Sequence, residues 1–240
     1  MISQHATFLH GFTQTGASWS PVLDLLSTLL VPSCPDAPGH GNNPDGQRSL
    51  TQYAEDVAST MQTGVLVGYS MGARMALHVA LAHPQKVTAL VLISGTPGLL
   101  TETERAARRD SDNELADHLE LVGTETFIDE WLALPMFSGL NNANNGRSER
   151  LRNTATGLAD SLRYAGTGTQ LSLWENITQL QMPVHLISGE RDEKFTELAK
   201  QMHSAIPQST LNVITHGGPT VHLENPIATA SLLDKIISQQ

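Results

Sequence analysis

Short apolar runs alternate with amphipathic stretches at both ends of this chain. Predicted strands cover residues 6–9, 65–67, 87–94, 182–189 and 209–214. Between them, apolar residues recur every three or four positions, as expected for helices that bury one face. Predicted helices cover residues 18–30, 50–62, 193–205 and 226–238, with another directly after residue 70. Such alternation predicts an α/β fold, with a mostly parallel central sheet flanked by helices.

The pattern changes in the middle of the chain. From residue 96 to about residue 179 there is no comparable apolar run, and only helical stretches are predicted. These cover residues 102–122, 124–134, 149–162 and 171–180, with an asparagine-rich loop at residues 141–146. We therefore expect residues 1–95 and 180–240 to form the core, and residues 96–179 to form an inserted helical lid that shapes a pocket.

One motif lies at the junction of a predicted strand and helix. Gly68, Ser70 and Gly72 form Gly-x-Ser-x-Gly, directly after the apolar run 65–67. An ordinary tight turn could contain the same residues. The strand before it and the helix after it favour a nucleophile elbow, in which the serine hydroxyl is presented at the end of the strand.

A serine needs a histidine and a carboxylate to become reactive, and the chain offers both in a suitable order. Asp192 follows a predicted strand, and His222 lies in the Gly-rich loop after the next one, so both are expected beside Ser70. Asp192 could instead only cap the following helix. Glu190 is the rival carboxylate and His216 the rival histidine. An oxyanion hole would combine the N–H groups of Phe12 and Met71, although Phe12 could be only a pocket wall.

Composition excludes several other classes of function. The formal net charge of −10, without a Lys/Arg cluster, argues against a nucleic-acid partner. Cys34 is the only cysteine, so neither an intrachain disulfide nor a cysteine metal cluster is possible. Paired ligands for zinc are missing, and we predict neither a metal nor a cofactor. The chain has no apolar run of membrane-spanning length and no signal-peptide pattern at its start, so we expect a cytoplasmic protein without a membrane partner.

Several stretches resemble a known superfamily. Residues 9–12, 36–41 and 68–72 are similar to the markers of the α/β-hydrolase fold. More specific stretches resemble the MenH family, the 2-succinyl-6-hydroxy-2,4-cyclohexadiene-1-carboxylate synthases of menaquinone biosynthesis. They are residues 72–76, 104–109, 127–131, 135–137, 166–170, 172–174 and 189–195. The resemblance spans nearly the whole chain and includes the predicted lid.

The resemblance implies a lyase. Members of this family use the triad to remove a ring proton from 2-succinyl-5-enolpyruvyl-6-hydroxy-3-cyclohexene-1-carboxylate and expel pyruvate. Ser70 would act as the base through His222, and the oxyanion hole would hold charge that develops on the succinyl carbonyl. The substrate is a small anion. Four further residues match family positions that bind substrate or line the pocket: Tyr69, Arg74, Arg108 and Trp131.

Other interpretations remain open at this level. Arg74 could be a solvated helix residue, and Arg105, Arg108 and Arg109 could form surface ion pairs with nearby acids. The same triad could serve a serine hydrolase that cleaves a carboxylester or a carbon–carbon bond, and a ligand receptor is a third class. The chain also departs from the usual Gly-His before the catalytic histidine: it has Gly218-Pro219, which removes an N–H and fixes φ.

Overall fold

Six parallel strands form the central sheet of the protein. The computed structural model describes residues 4–27 and 29–240. The strands are β1 (Gln4–Leu9), β2 (Leu30–Ser33), β3 (Gly64–Tyr69), β4 (Val87–Ile93), β5 (Val184–Gly189) and β6 (Ser209–Ile214), in the order β2-β1-β3-β4-β5-β6. Every pair of neighbouring strands is parallel, which confirms the predicted fold class. The strand order reverses at β1, so the ends of β1 and β3 border a crevice of the kind that binds ligands in such sheets.

Side chains of β3 show how the sheet is buried on both faces. Val65 and Val67 belong to one apolar cluster, whereas Leu66 between them belongs to the other. Because successive side chains of a strand point to opposite faces, both faces of β3 carry an apolar layer. The flanking helices are α1 (Ser20–Leu23), α2 (Leu50–Thr60), α3 (Met71–Ala82), α7 (Glu193–Ala205), α8 (Val221–Glu224) and α9 (Pro226–Ile237).

Three helices lie between β4 and β5 in the chain. They are α4 (Glu102–Leu132), α5 (Arg147–Arg150) and α6 (Ala155–Ala165). Helix α4 is interrupted at Gly123, whose φ of 79° is not helical, so the two helices predicted on either side of residue 123 meet at a kink. Leu119, Phe127 and Leu158 are part of a separate apolar cluster that joins α4 to α6. Within residues 4–27 and 29–240, no helix combines the length and the apolar character needed to cross a membrane.

The helix predicted over residues 18–30 is wrong for most of its length. A single 3-10 turn (Gly16–Trp19) leads into the short helix α1, and a strand has begun by Leu30. Leu29 follows the helical spacing of the predicted helix, yet it is 57% exposed. The chain turns away after α1, and the Ser27 N–H donates to Asp234 of α9. Leu26 and Leu30 still pack against the core, so the stripe is partly buried although the helix ends early.

Two further helix predictions in the middle of the chain also need correction. The stretch 149–162 is divided, because Thr154 caps a new helix by accepting a hydrogen bond from the Gly157 N–H at 3.0 Å. Residues 171–180 contain only a 3-10 turn (Asn176–Gln179). There the Leu173 N–H donates to Pro97 O at 2.8 Å and Trp174 Nε1 donates to Gly98 O at 3.1 Å. These bonds to another segment replace the helical ones.

Candidate active site

The Gly-x-Ser-x-Gly segment forms a sharp turn between β3 and α3. Ser70 has φ 52° and ψ −108°, which lies outside the usual regions for a non-glycine residue. Its N–H donates to Ile93 O at 2.9 Å and ties the turn to the end of β4. A Cβ at Gly68 would collide with the backbone of Gly72, and a Cβ at Gly72 would collide with Leu9 O. The strand–turn–helix context predicted for Ser70 is therefore present.

Asp192 lies just beyond β5 and caps α7. Its Oδ1 accepts the Phe195 N–H at 3.2 Å, and its Oδ2 accepts a hydrogen bond from Ser94 Oγ at 3.3 Å. The side chain is buried, and this burial raises the pKa of its carboxyl. Capping, considered above as the alternative role, is thus one function of this residue. The carboxylate nevertheless lies at the same edge of the sheet as Ser70.

His222 is fully buried in the short helix α8, which follows the Gly-rich loop predicted to contain it. Its ring centroid lies 4.2 Å from that of Tyr69 and 5.0 Å from that of Trp19. Its Nε2 is 3.3 Å from Gln14 Nε2, whereas its buried Nδ1 has no hydrogen-bond partner among the described residues. The Gln14 amide donates to a neutral imidazole in this arrangement. Burial first, and the charge of Arg150 second, lower the pKa of His222 to about 3.

The three triad candidates are not joined by hydrogen bonds in this conformation. Within residues 4–27 and 29–240, neither nitrogen of His222 bonds to Ser70 or to Asp192. The Nε2 of His222 that would accept the serine proton is hydrogen-bonded to Gln14 instead. One carboxylate oxygen of Asp192 is hydrogen-bonded to Ser94. The sequence predicted the neighbourhood of these groups but not this set of contacts.

Glu224 organises the loop that precedes His222. Its buried carboxylate accepts the N–H groups of Gly218 and Thr220 at 2.9 and 3.0 Å, and it pairs with Arg191 at 2.9 Å. Pro219 lies between the two bonded amides and has no N–H of its own. Its carbonyl accepts a hydrogen bond from Ser94 Oγ at 3.4 Å. The loop thus has a well-defined set of contacts around the Gly-Pro pair that departs from the usual Gly-His.

The rival residues Glu190 and His216 lie at the surface. The His216 side chain is 94% exposed, and its backbone N–H donates to Glu190 Oε2 at 2.9 Å. These two side chains therefore face solvent and each other. Asp192 and His222 are both buried, unlike these rivals, and they remain the candidate partners of Ser70.

A cavity of about 300 Å³ lies beside the elbow. Ser70 lines it together with five of the predicted site residues: Phe12, Met71, Arg74, Arg108 and Trp131. Three predicted site residues are not part of this lining: Tyr69, Asp192 and His222. Tyr69 is buried, and its ring packs against His222. The cavity also includes Lys194 and Phe195, from the first turn of α7, which the sequence analysis did not assign to the site.

Two arginines give the cavity a positive wall. Arg74 is buried on α3, which rules out the interpretation of a solvated helix residue. Burial, together with the nearby charge of Arg108, lowers the pKa of Arg74 to about 10, so that the guanidinium remains protonated at neutral pH. Arg108 is exposed and pairs with Asp112 at 2.8 Å, so the ion pair with a nearby acid considered for it is present although it also lines the cavity. The arrangement is chemically suited to binding an anion.

The loop after β1 presents the second candidate oxyanion donor. Neutral, buried histidines support this loop: His40 Nε2 accepts the Thr13 N–H at 3.3 Å, and His10 Nε2 accepts the Ala37 N–H at 2.9 Å. The Phe12 N–H donates to no other described residue. Met71 is the first residue of α3, where N–H groups lack helical acceptors. Both amides are thus available to an oxygen in the cavity.

Sequence reasoning missed two buried polar residues near the site. Arg150 is 2% exposed, donates from Nε to Asn145 O at 2.9 Å, and hydrogen-bonds to Thr13 Oγ1 through Nη1. Gln14 contacts His222, as described above. Neither has a sequence signal, because each depends on segments far apart in the chain. Among the described residues, no group of three or more His, Cys, Asp or Glu side chains could hold a metal ion.

Comparison with known proteins identifies the family of the chain. A model of the alpha/beta hydrolase family matches residues 8–232. The chain is 38% identical over 99% of its length to a putative 2-succinyl-6-hydroxy-2,4-cyclohexadiene-1-carboxylate synthase of Bacillus subtilis, covering 90% of that protein. The chain belongs to this synthase family of α/β hydrolases. A synthase of an Enterobacter species is 31% identical over 96% of the chain, covering 90% of that protein.

Solved structures lead to the same fold. MenH from S. aureus superposes with a TM-score of 0.91 at 27% identity, over 100% of this chain and 95% of that one. An esterase from Thermogutta terrifontis has a TM-score of 0.85 at 18% identity, over 99% of this chain and 90% of that one. The esterase shares the fold alone, whereas the synthase relatives share the family. The resemblance inferred from the sequence motifs is confirmed.

Proposed function

We propose that this protein is the lyase that eliminates pyruvate from 2-succinyl-5-enolpyruvyl-6-hydroxy-3-cyclohexene-1-carboxylate to give 2-succinyl-6-hydroxy-2,4-cyclohexadiene-1-carboxylate. One observation carries the proposal: Ser70 shares a single cavity with Arg74 and Arg108 in a chain of the synthase family. The cations suit a substrate with several carboxylates. The acidic composition and the single cysteine fit an enzyme of the cytoplasm.

Ser70 acts as the base in the proposed reaction. Its oxygen takes the ring proton as the hydroxyl proton passes to Nε2 of His222, and Asp192 stabilises the imidazolium through Nδ1. His222 is neutral near pH 7 and can accept a proton. For this step His222 must exchange its Gln14 contact for Ser70, and Asp192 must turn towards the unpartnered Nδ1. Substrate binding drives this rearrangement in our proposal.

The oxyanion hole stabilises the charge that the proton leaves behind. Electrons of the broken C–H bond move onto the succinyl carbonyl oxygen, where the N–H groups of Phe12 and Met71 donate to it. The positive end of α3 adds to this stabilisation. Collapse of the enolate then breaks the bond between the ring carbon and the enolpyruvyl oxygen. The leaving group departs as the enolate of pyruvate and takes up a proton.

Residues 96–179 form the proposed lid over this chemistry. This segment contributes Arg108 and Trp131 to the cavity wall, and the core contributes Ser70 and Arg74. Excluding water would strengthen the charge interactions inside the cavity. Tyr69 was predicted to bind substrate. Its ring packs against the ring of His222 and would help to hold that imidazole in position.

A coupled assay for pyruvate tests the proposed function. Wild-type protein is expected to release pyruvate from the cyclohexene substrate, and Ser70→Ala is expected to lose at least about 1,000-fold in kcat, because the base is removed. Ser59→Ala, on the exposed side of α2, is the matched control and should retain activity. Absence of pyruvate together with rapid turnover of p-nitrophenyl esters would instead identify a serine hydrolase.

A further inference from the structure

Arg74 is held by neutral oxygens alone. Its Nη2 donates to Ala165 O at 2.9 Å, and its Nη1 donates to Gln170 Oε1 at 3.3 Å. Among residues 4–27 and 29–240, no carboxylate lies within ion-pair distance of this guanidinium, whereas Arg105, Arg108 and Arg109 each pair with an acid. Asp112 is a nearby carboxylate that attracts Arg74, but it pairs with Arg108 and forms no ion pair with Arg74. The charge of Arg74 therefore stays available to an anion in the cavity.

Gln170 is built into its position. The side chain of Gln170 is 3% exposed. Its amide packs closely against Gly98, because a Cβ added at residue 98 would lie only 3.0 Å from Gln170 Nε2. The segment before it is fixed to α4, where Arg109 Nη1 donates to Gly168 O at 2.9 Å. Helix α4 also carries Arg108. Gln170 thus connects the cation of the core helix α3 to the segment that presents the second cation.

We propose that Gln170 is a positioning residue that aims Arg74 at the substrate through an uncharged acceptor, and so preserves its charge for a substrate carboxylate. This inference rests on the proposed function, because it assigns a carboxylate of that substrate to Arg74. The chemistry explains why an amide suits this position. A carboxylate here would form a charge-assisted pair with Arg74 and compete with the substrate. An apolar side chain would leave Nη1 without its acceptor.

Two substitutions separate this role from a merely structural one. Gln170→Glu keeps the shape and the acceptor but adds a charge, whereas Gln170→Leu removes both the acceptor and the polarity. We expect Gln170→Glu to raise the KM of the lyase reaction at least about tenfold above that of Gln170→Leu, with a smaller change in kcat. A purely structural role predicts the reverse order, because Glu retains the hydrogen bond. That reverse order, or equal KM values, would overturn the inference.

Controls identify Arg74 as the target of the effect. Gln179→Glu adds the same charge at an exposed position and should leave KM unchanged. In an Arg74→Met background, Gln170→Glu should raise KM no further, because the introduced carboxylate has no guanidinium at residue 74 to pair with. An additional tenfold rise in that background would contradict the inference. Thermal melting of each variant separates a kinetic effect from loss of the fold.

A binding measurement distinguishes failure of this inference from failure of the proposed function. Calorimetric titration with 2-succinylbenzoate, a dicarboxylate without the enolpyruvyl group, reports on anion binding without turnover. Weaker binding by Gln170→Glu than by Gln170→Leu would support the neutral contact even if the wild-type protein released no pyruvate, in which case only the proposed function fails. Pyruvate release by the wild type with equal binding by both variants would overturn only the role of Gln170.

Discussion

Arg74 shows how a single side chain can adapt a hydrolase elbow to an anionic substrate. It lies one helical turn after Ser70 and is buried, and among the described residues it hydrogen-bonds to neutral oxygens and forms no ion pair. Arg74→Met should lower kcat/KM for the cyclohexene substrate by about 10- to 100-fold, the scale of one charge-assisted hydrogen bond. Steady-state kinetics of pyruvate release measures this loss.

Arg152 provides the matched control for that prediction. Its side chain is 44% exposed and pairs with Glu149 at 2.8 Å on the surface. Arg152→Met makes the same change in net charge away from the cavity, so its kcat/KM should stay within about twofold of wild type, as for other surface ion pairs. A similar loss in both variants would show that overall charge, rather than local contact, attracts the substrate.

At the scale of elements, the elbow depends on close contact between β1 and α3. A Cβ at Gly72 would overlap the carbonyl oxygen of Leu9, and backbone there cannot move without disturbing the sheet. Gly72→Ala should therefore lower the free energy of unfolding by about 3 kcal/mol or more, as overpacking does in other rigid sites. Urea denaturation followed by circular dichroism measures the change.

Gly123 offers the contrasting substitution within α4. No atom lies within 4 Å of a Cβ placed there, but its φ of 79° is unfavourable for alanine. Gly123→Ala should cost about 1–3 kcal/mol, because φ 79° with ψ 166° is a backbone region that is used almost only by glycine. If both glycine variants lost the same stability, steric overlap at the elbow would not be the cause.

The sequence correctly predicted elements whose first and last residues are set by local signals, such as a capping residue. Helix α7 spans the predicted residues 193–205 because Asp192 caps its start and its apolar face is buried. Residues 18–30 and 171–180 have helical spacing too, but their backbone or side chains bind other segments, such as Asp234 and Pro97. Contacts between segments that are far apart in the chain override the local periodicity. Such contacts cannot be predicted from the sequence pattern alone.

The same reasoning explains which site residues were predicted. Ser70, Asp192 and His222 each follow a strand, so the parallel sheet dictates their common edge. The contact of Gln14 with His222 and that of Gln170 with Arg74 join residues far apart in sequence. Both glutamines are ordinary polar residues by pattern alone. Their roles become visible only when the chain is folded.

At the scale of the whole molecule, buried neutral histidines make stability depend on pH. Burial lowers the pKa of His10 to about 4, and the pKa values of His40 and His222 to about 3. Below pH 6.5, which is the ordinary pKa of a histidine side chain, the unfolded chain therefore binds more protons than the folded one. The free energy of unfolding should fall as pH decreases from 6.5 towards 4, with a slope approaching about 1.4 kcal/mol per pH unit for each such histidine.

Urea denaturation at several pH values tests this dependence. His216→Gln changes a histidine whose side chain is 94% exposed, so its stability should follow the wild-type pH profile. His40→Gln removes one buried group, and its slope between pH 6.5 and 4 should be smaller. A wild-type slope of zero in that range would contradict the assignment of neutral, buried histidines.

The three tryptophans of the chain provide intrinsic fluorescence signals from three parts of the site. Trp19 packs against His222, Trp131 lines the cavity, and Trp174 donates to Gly98 beside Gln170. Fluorescence from single-tryptophan variants would therefore follow the histidine, the occupied cavity and the glutamine segment separately. In stopped-flow mixing with substrate, the order of the three signals would give the sequence in which the site assembles.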